Sequence, residues 1–211
     1  MAGVPPAPPC TGVILAGGLS SRFEGAHKGL ERVGGIRIID RVATALTGAT
    51  DELLLVANDP TAAEWLPSVP VVPDVYHSVG SLGGLHAALV HAQRPIVAVA
   101  WDMPFVTAAL LQRLRALGVG VDAVVPWSTS WRGVEPLCAW YSPACLSAIA
   151  QRLAAGDRRA VAFLDDVRVT VLPQDEVCAL GVPEVLFMSV NTREDLAHAR
   201  AVALGETTPG G

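Results

Sequence analysis

The residues best equipped for chemistry sit close together near the start of the chain. The apolar run Val13-Ile14-Leu15-Ala16 is followed by Gly17 and Gly18, then Ser20 and Ser21, then Arg22 and, six positions on, Lys28. Glycine has no Cβ, so the backbone here can turn sharply and bring its N–H groups against a ligand. Free N–H groups, hydroxyls and two cations behind a buried strand suit a polyphosphate. The stretch lacks the Gly-Lys-Ser/Thr ending of a Walker A loop, and the adjacency of Gly17 and Gly18 rules out G-x-G-x-x-G. On composition alone, an ordinary strand-to-loop turn with surface charges also fits. Asp102, just beyond the apolar run 96–100, is the leading metal ligand. Mg²⁺ takes oxygen donors and keeps several waters, so one or two protein oxygens suffice. An aspartate ahead of Met103-Pro104 can equally cap a turn.

These residues need elements to carry them. Short apolar runs at 13–16, 52–57, 69–72 and 96–100 read as buried strands. Pro70 places the third of these toward a sheet edge. Between them, 36–46 has Ile36, Ile39, Val42, Ala43 and Leu46 on one helical face, with Gly34-Gly35 as a loose approach. A short helix is expected at 61–66. A loop at 79–84 should lead into a helix at 85–92, and Thr107 should cap a helix at 107–117. Strands alternating with helices predict βαβ units: an α/β fold, a Rossmann-like three-layer α/β/α sandwich with a mostly parallel sheet. Ligands of such sheets bind outside the carboxyl ends of the strands. The glycine loop, Asp74 and Asp102 would all lie on that edge.

The second half is less regular. Strands are expected at 123–126, 136–141, 168–172 and 185–188, with a polar loop or hairpin at 127–135 carrying Trp131 and Arg132. Helices are expected at 143–154, 156–164 and 193–204. Thr192 with Asp195 makes a capping-box start for the last one, and Gly205 a stop. No repeat or long linker divides the chain. One domain over 11–205 is expected, with disordered tails at 1–10 and 206–211.

With 211 residues, 51% of them hydrophobic and 17% charged, the chain can bury a substantial core. A formal charge of −5 argues against a broad nucleic-acid surface. No apolar run reaches the roughly 18 residues of a membrane span. The Pro- and Ala-rich start has no basic segment, so no signal peptide is expected and the cytoplasm is the expected compartment. Cys10, Cys138, Cys145 and Cys178 form no C-x-x-C pair, which disfavours zinc. The five histidines show no metal spacing and are read as structural.

Leu15-Ala16-Gly17-Gly18-x-Ser20-x-Arg22 with Lys28 resembles the signature of nucleotidyltransferases that activate sugars and cofactors with a nucleoside triphosphate. Among these it is most similar to the molybdenum cofactor guanylyltransferases. The family carries Asp-Met-Pro where this chain has Asp102-Met103-Pro104, with cysteine in place of Trp101. It carries aspartate in place of His27, and Asn-Val-Asn-Thr where this chain has Ser189-Val190-Asn191-Thr192. The resemblance implies that Asp102 and Asn191 hold Mg²⁺ and that Arg22 and Lys28 contact the triphosphate. It further implies that Leu15, Ala16 and Gly17 offer backbone groups to the base, with Gly18, Ser20, Asn58, Asp74 and Gly80 lining the nucleotide site. Implied partners are GTP and molybdopterin, with molybdenum-cofactor biosynthetic proteins or apo-molybdoenzymes beyond them.

Three functions follow as expectations. The first is Mg²⁺-dependent transfer of GMP from GTP to molybdopterin, releasing pyrophosphate. The second keeps the chemistry but uses CTP, or a sugar or alcohol phosphate as acceptor. The third is a non-catalytic nucleotide binder, against which the joint presence of Lys28, Asp102 and Asn191 argues. Arg132, Arg158 and Arg159 are candidates for contacting an anionic acceptor, with solvated surface charge as the alternative.

Overall fold

A computed structural model describes residues 8–17, 27–76 and 80–206. Strand β1 (Thr11–Leu15) is buried along its whole length. The hairpin β2 (Arg32–Val33) and β3 (Ile36–Arg37) leads into helix α1 (Ile38–Thr47). Then come β4 (Glu52–Val56), α2 (Ala62–Trp65), β5 (Val71–Val72), α3 (Gly80–Ala92), β6 (Ile96–Ala100) and α4 (Ala108–Ala116). The second half contributes β7 (Ala123–Pro126), β8 (Cys138–Tyr141), α5 (Cys145–Ala154) and β9 (Val169–Leu172). It ends with α6 (Gln174–Leu180), α7 (Pro183–Leu186) and α8 (Arg193–Leu204).

The main sheet has seven strands in the order β5-β4-β1-β6-β8-β7-β9. All run parallel except β8, which is antiparallel to both its neighbours. Side chains alternate across a strand, and here the alternation divides two cores. Ile14, Leu55, Val97, Val99 and Trp140 face α1, α4 and α8. Val13, Leu54, Ile96, Ala98 and Tyr141 face α3 and α5. Helices therefore cover both faces, which is why the central strands are apolar on both sides. The three-layer α/β/α sandwich is the expected one. Among the described residues, no helix is long and apolar enough to cross a membrane.

Several elements differ from expectation, each for a local reason. Gly34-Gly35 is the two-residue turn of the β2–β3 hairpin, with φ of +59° and +80°. Two consecutive positive φ values are what such a turn requires, and glycine adopts them at no steric cost. Helix α1 accordingly starts at Ile38, and Ile36 pairs with Val33. Helix α3 already begins at Gly80, so the expected loop at 79–84 is largely helical. The segment 185–188 is not a strand: Pro183 opens α7 and Leu186 is buried from it. Proline at the first helical position pre-sets φ, and a short apolar run cannot by its pattern distinguish strand from helix. At 156–164 there are turns rather than a helix, with a 3₁₀ turn at Leu164–Asp166. Helix α6 was not anticipated. Of the expected N-terminal tail, Pro8–Cys10 is fastened: Cys10 is buried, its N–H bonds Asp51 Oδ2 at 2.8 Å, and Pro8 O accepts from Arg115 Nη2 at 3.1 Å.

Burial pushes the Cys10 thiol up to about 11 and the Cys145 thiol up to about 12, so both stay protonated packing residues.

Asp122 ties the far side of the sheet together. Its Oδ2 accepts from the Arg168 N–H at 2.9 Å and from Arg168 Nε at 3.0 Å, and its Oδ1 from Nη2 at 2.8 Å, just where β9 joins β7. The side-chain and backbone bonds from Arg168 hold this carboxyl below the usual carboxylate range. A lowered folded value means the bonds stabilise the fold above the unfolded carboxyl pKa and are lost as pH falls through the folded one. Asp122→Ala should lower unfolding free energy by about 1–3 kcal/mol at neutral pH. The deficit should shrink toward acid pH when urea denaturation is compared at pH 7 and pH 3.

Candidate active site

The register of the three central strands sets out the site. Leu15 pairs with Val56 on one side and Ala100 on the other, so β1, β4 and β6 end in one row. All three residues line a cleft of about 240 Å³ at the carboxyl edge of the sheet. Trp101 N–H bonds Leu15 O at 3.2 Å, continuing the β1–β6 alignment and placing Asp102 just past the row.

Lys28 reaches the cleft from the 3₁₀ turn Lys28–Leu30. Its Nζ lies 2.5 Å from Asp102 Oδ2 and 2.7 Å from Asn191 Oδ1. Asn191 comes from the far end of the chain and is held there by two devices. Val190 N–H bonds the Asp102 carbonyl oxygen at 2.9 Å. The capping box of α8 fixes the following turn, with Asp195 Oδ2 accepting from the Asn191 N–H at 2.9 Å and the Thr192 N–H at 2.8 Å. The side chains of Lys28 and Asp102 are only 16% and 9% exposed. Asp102 Oδ1 is buried with no hydrogen-bond partner among the described residues.

An unspent carboxylate oxygen beside an amide oxygen is a hard-oxygen donor set suited to Mg²⁺, which leaves most of its coordination to water and phosphate. No cluster of three His, Cys, Asp or Glu exists among the described residues, so a closed all-protein metal cage is not built there.

The other expected site residues divide into two groups. Leu15, Gly17, Asp74 and Gly80 line the cleft with Lys28, Asp102 and Asn191. Asn58 does not line it but braces Asp74: its Nδ2 donates to Asp74 Oδ2 at 2.8 Å, and its Oδ1 accepts from the Asp74 N–H at 2.9 Å. Ala16 turns its side chain into the α1/α4 core, and its N–H is spent on Val56 O at 2.9 Å. Gly18, Ser20, Ser21, Arg22 and His77 lie outside the described residues. His86 is buried, with its ring 5.0 Å from that of Tyr76, and burial lowers its pKa, in keeping with a structural role.

A second cavity of about 220 Å³ adjoins the first and shares Ser81 and Leu137 with it. Its wall carries Glu135, whose Oε1 accepts from the Leu137 N–H at 3.0 Å. Burial, helped by the nearby charge of Asp102, pushes the Glu135 carboxyl up. Arg132 lies 4.8 Å over the ring of Trp131, which is 85% exposed. Arg159 is engaged by Asp157 at 2.6 Å.

The model of the MobA-like NTP transferase domain matches residues 12–171. The chain belongs to the MobA-like NTP transferase family. Its relative from Desulfosudis oleivorans, a molybdenum cofactor guanylyltransferase, is 34% identical over 193 residues, covering 90% of this chain and 94% of the relative. The crystal structure of molybdopterin-guanine dinucleotide biosynthesis protein A from Archaeoglobus fulgidus superposes with a TM-score of 0.77 at 27% identity, covering 92% of this chain and 99% of that one. A 4-diphosphocytidyl-2C-methyl-D-erythritol synthase from Anaerococcus prevotii shares the fold with a TM-score of 0.67 at 16% identity, over 93% of this chain and 96% of that one.

Against the MobA-like signature, the sequence alone did not reveal Trp65 or Glu135 as neighbours of the site. Trp65 sits in the short helix α2, and only the fold brings it to Trp101. Their rings stack at 5.0 Å with an interplanar angle of 21°. Gly29 packs against the six-membered ring of Trp101: a Cβ there would meet Trp101 Cε3 at 2.4 Å. Gly29→Ala should therefore cost about 1–3 kcal/mol of stability by overpacking a rigid ring. A drop in thermal melting temperature relative to the parent would show it.

Proposed function

We propose that this MobA-like nucleotidyltransferase transfers GMP from GTP to molybdopterin, giving the guanine dinucleotide form of the cofactor and pyrophosphate. The observation that carries this reading is the convergence of Lys28, Asp102 and Asn191 at the carboxyl edge of β1, β4 and β6. The names of the relatives support guanine and molybdopterin as substrates. The fold alone is also that of a cytidylyl-transferring enzyme, so it does not choose the base.

An oxygen of the acceptor's phosphate attacks the α-phosphorus of GTP. A new P–O–P link forms, the bond from the α-phosphorus to the bridging oxygen breaks, and pyrophosphate leaves with the electron pair. The nucleophile is already anionic, so no strong general base is needed. Positioning and charge stabilisation carry the rate. Lys28 and Arg22 supply positive charge to the triphosphate. Asp102 and Asn191 would hold the Mg²⁺, which would offset charge on the phosphates. Asp74, braced by Asn58, faces the nucleotide sugar. The acceptor lies in the adjoining cavity beside Glu135, with Arg132 available to its phosphate.

Two measurements test this. Among the four nucleoside triphosphates with Mg²⁺, GTP should raise the melting temperature most, because a ligand that binds only the folded state stabilises it by mass action. An equal or larger shift with CTP would move the chain to cytidylyl transfer. Asp102→Asn and Asp102→Ala should each lose on the order of 10²-fold or more in turnover, with the loss present in protein that is fully folded by circular dichroism at the assay temperature. Near-normal turnover with reduced stability would make Asp102 a turn cap instead.

A further inference from the structure

Lys28 carries a long flexible stem, and ordering such a side chain costs entropy. Its turn is three residues long, and His27 at its start makes no side-chain cap. So short a 3₁₀ turn does not hold its own direction. Something outside the turn must aim the ammonium at Asp102.

Both chain neighbours of Lys28 pack against Trp101, and His27 also against Trp65. The His27 ring is 4.9 Å from that of Trp65 and 6.3 Å from that of Trp101. Gly29 is pressed against the six-membered ring of Trp101 so closely that only a residue without Cβ fits. Trp101 immediately precedes Asp102. The two ends of the Lys28–Asp102 pair therefore hang from one stack. The stack is closed by polar links: His27 Nε2 lies 3.6 Å from Asp59 Oδ2, Asp59 Oδ1 accepts from the Thr61 hydroxyl at 2.6 Å, and that hydroxyl accepts from Trp65 Nε1 at 3.2 Å. Trp65 and Trp101 are 5% and 3% exposed, so the wall they form is fixed by the core rather than by solvent-facing contacts.

We propose that His27, Trp65 and Trp101 form an aromatic clamp that aims Lys28, making His27 and Trp65 positioning residues for the triphosphate. The inference rests on the reading of Lys28 as a phosphate contact. It predicts that His27 acts only through Lys28.

A double-mutant cycle on the full chain tests it, with GTP affinity in the presence of Mg²⁺ read by calorimetry. The His27 side chain is 34% exposed, so His27→Ala leaves no core cavity. His27→Ala should weaken GTP binding about three- to tenfold when Lys28 is present, the range of a lost aromatic contact. In the Lys28→Ala background the same change should have an effect of less than about 1.5-fold, while its effect on melting temperature stays the same in both backgrounds. His27→Phe, which keeps the ring face without the charge, should return affinity to within about twofold of the parent. Additive losses, or no loss in His27→Ala while Lys28→Ala does weaken binding, would overturn the clamp. If Lys28→Ala itself leaves affinity unchanged, the phosphate role of Lys28 fails and the clamp with it. If the parent does not bind GTP, the functional reading is what has failed.

Discussion

The Lys28 ammonium lies between Asp102 and Asn191; the three residues come from three separate parts of the chain, and the side chains of Lys28 and Asp102 are largely withdrawn from water. Withdrawing ions from solvent costs several kcal/mol each unless they are paired and hydrogen-bonded well. The site can therefore exist only if the backbone holds its members within bonding distance before any ligand arrives. Much of the surrounding structure does that. The β1–β6 register ends at Asp102, and the Val190 N–H bonds the Asp102 carbonyl oxygen. Contacts from α8 to the β2–β3 hairpin then link the Asn191 side to the Lys28 side: Arg200 Nε donates to Arg32 O at 2.9 Å and Arg200 Nη2 to Glu31 Oε2 at 3.2 Å.

The parts of this arrangement that were legible in the sequence are those written in local pattern. Buried strands show as apolar runs, and Asp74 and Asp102 show as carboxylates directly after them. The α8 cap is spelled out by Thr192 and Asp195, and the capping box is present in full. The parts that were not legible depend on distant packing. Nothing near Trp65 says that its ring will stack on a residue 36 positions later. Val185 to Met188 is apolar enough for a strand, yet Pro183 commits it to a helical turn whose Leu186 fills the core under α8. Gly34-Gly35 was visible as a break but not as a hairpin, because the pairing of Val33 with Ile36 is a tertiary choice.

Two departures from the family signature, His27 and Trp101, look unrelated in the sequence because 74 positions separate them. In space they share Trp65 as a common neighbour and their rings are 6.3 Å apart. The large indole beside Asp102 stacks on Trp65 and leaves no room for a Cβ at position 29, where the chain has glycine. The signature's lysine and aspartate are thus kept in register here by packing that the signature does not describe.

The single antiparallel strand explains how one edge of the sheet serves two cavities. Parallel strands bring only their carboxyl ends to the ligand edge, and β1, β4 and β6 do so. Strand β8 runs the other way beside β6, pairing Val99 with Cys138 and Ile96 with Tyr141. Its amino-terminal end therefore reaches the same edge, and Leu137 O accepts the Ala100 N–H at 2.8 Å. Of the residues just before β8, Leu137 lines both the cleft at Asp102 and the adjoining cavity, and Glu135 lines the adjoining cavity. A parallel strand in that place would have carried them to the opposite edge, far from Asp102. Reversal of one strand is thus what sets the half-buried Glu135 carboxyl and a second cavity against the cleft at Asp102.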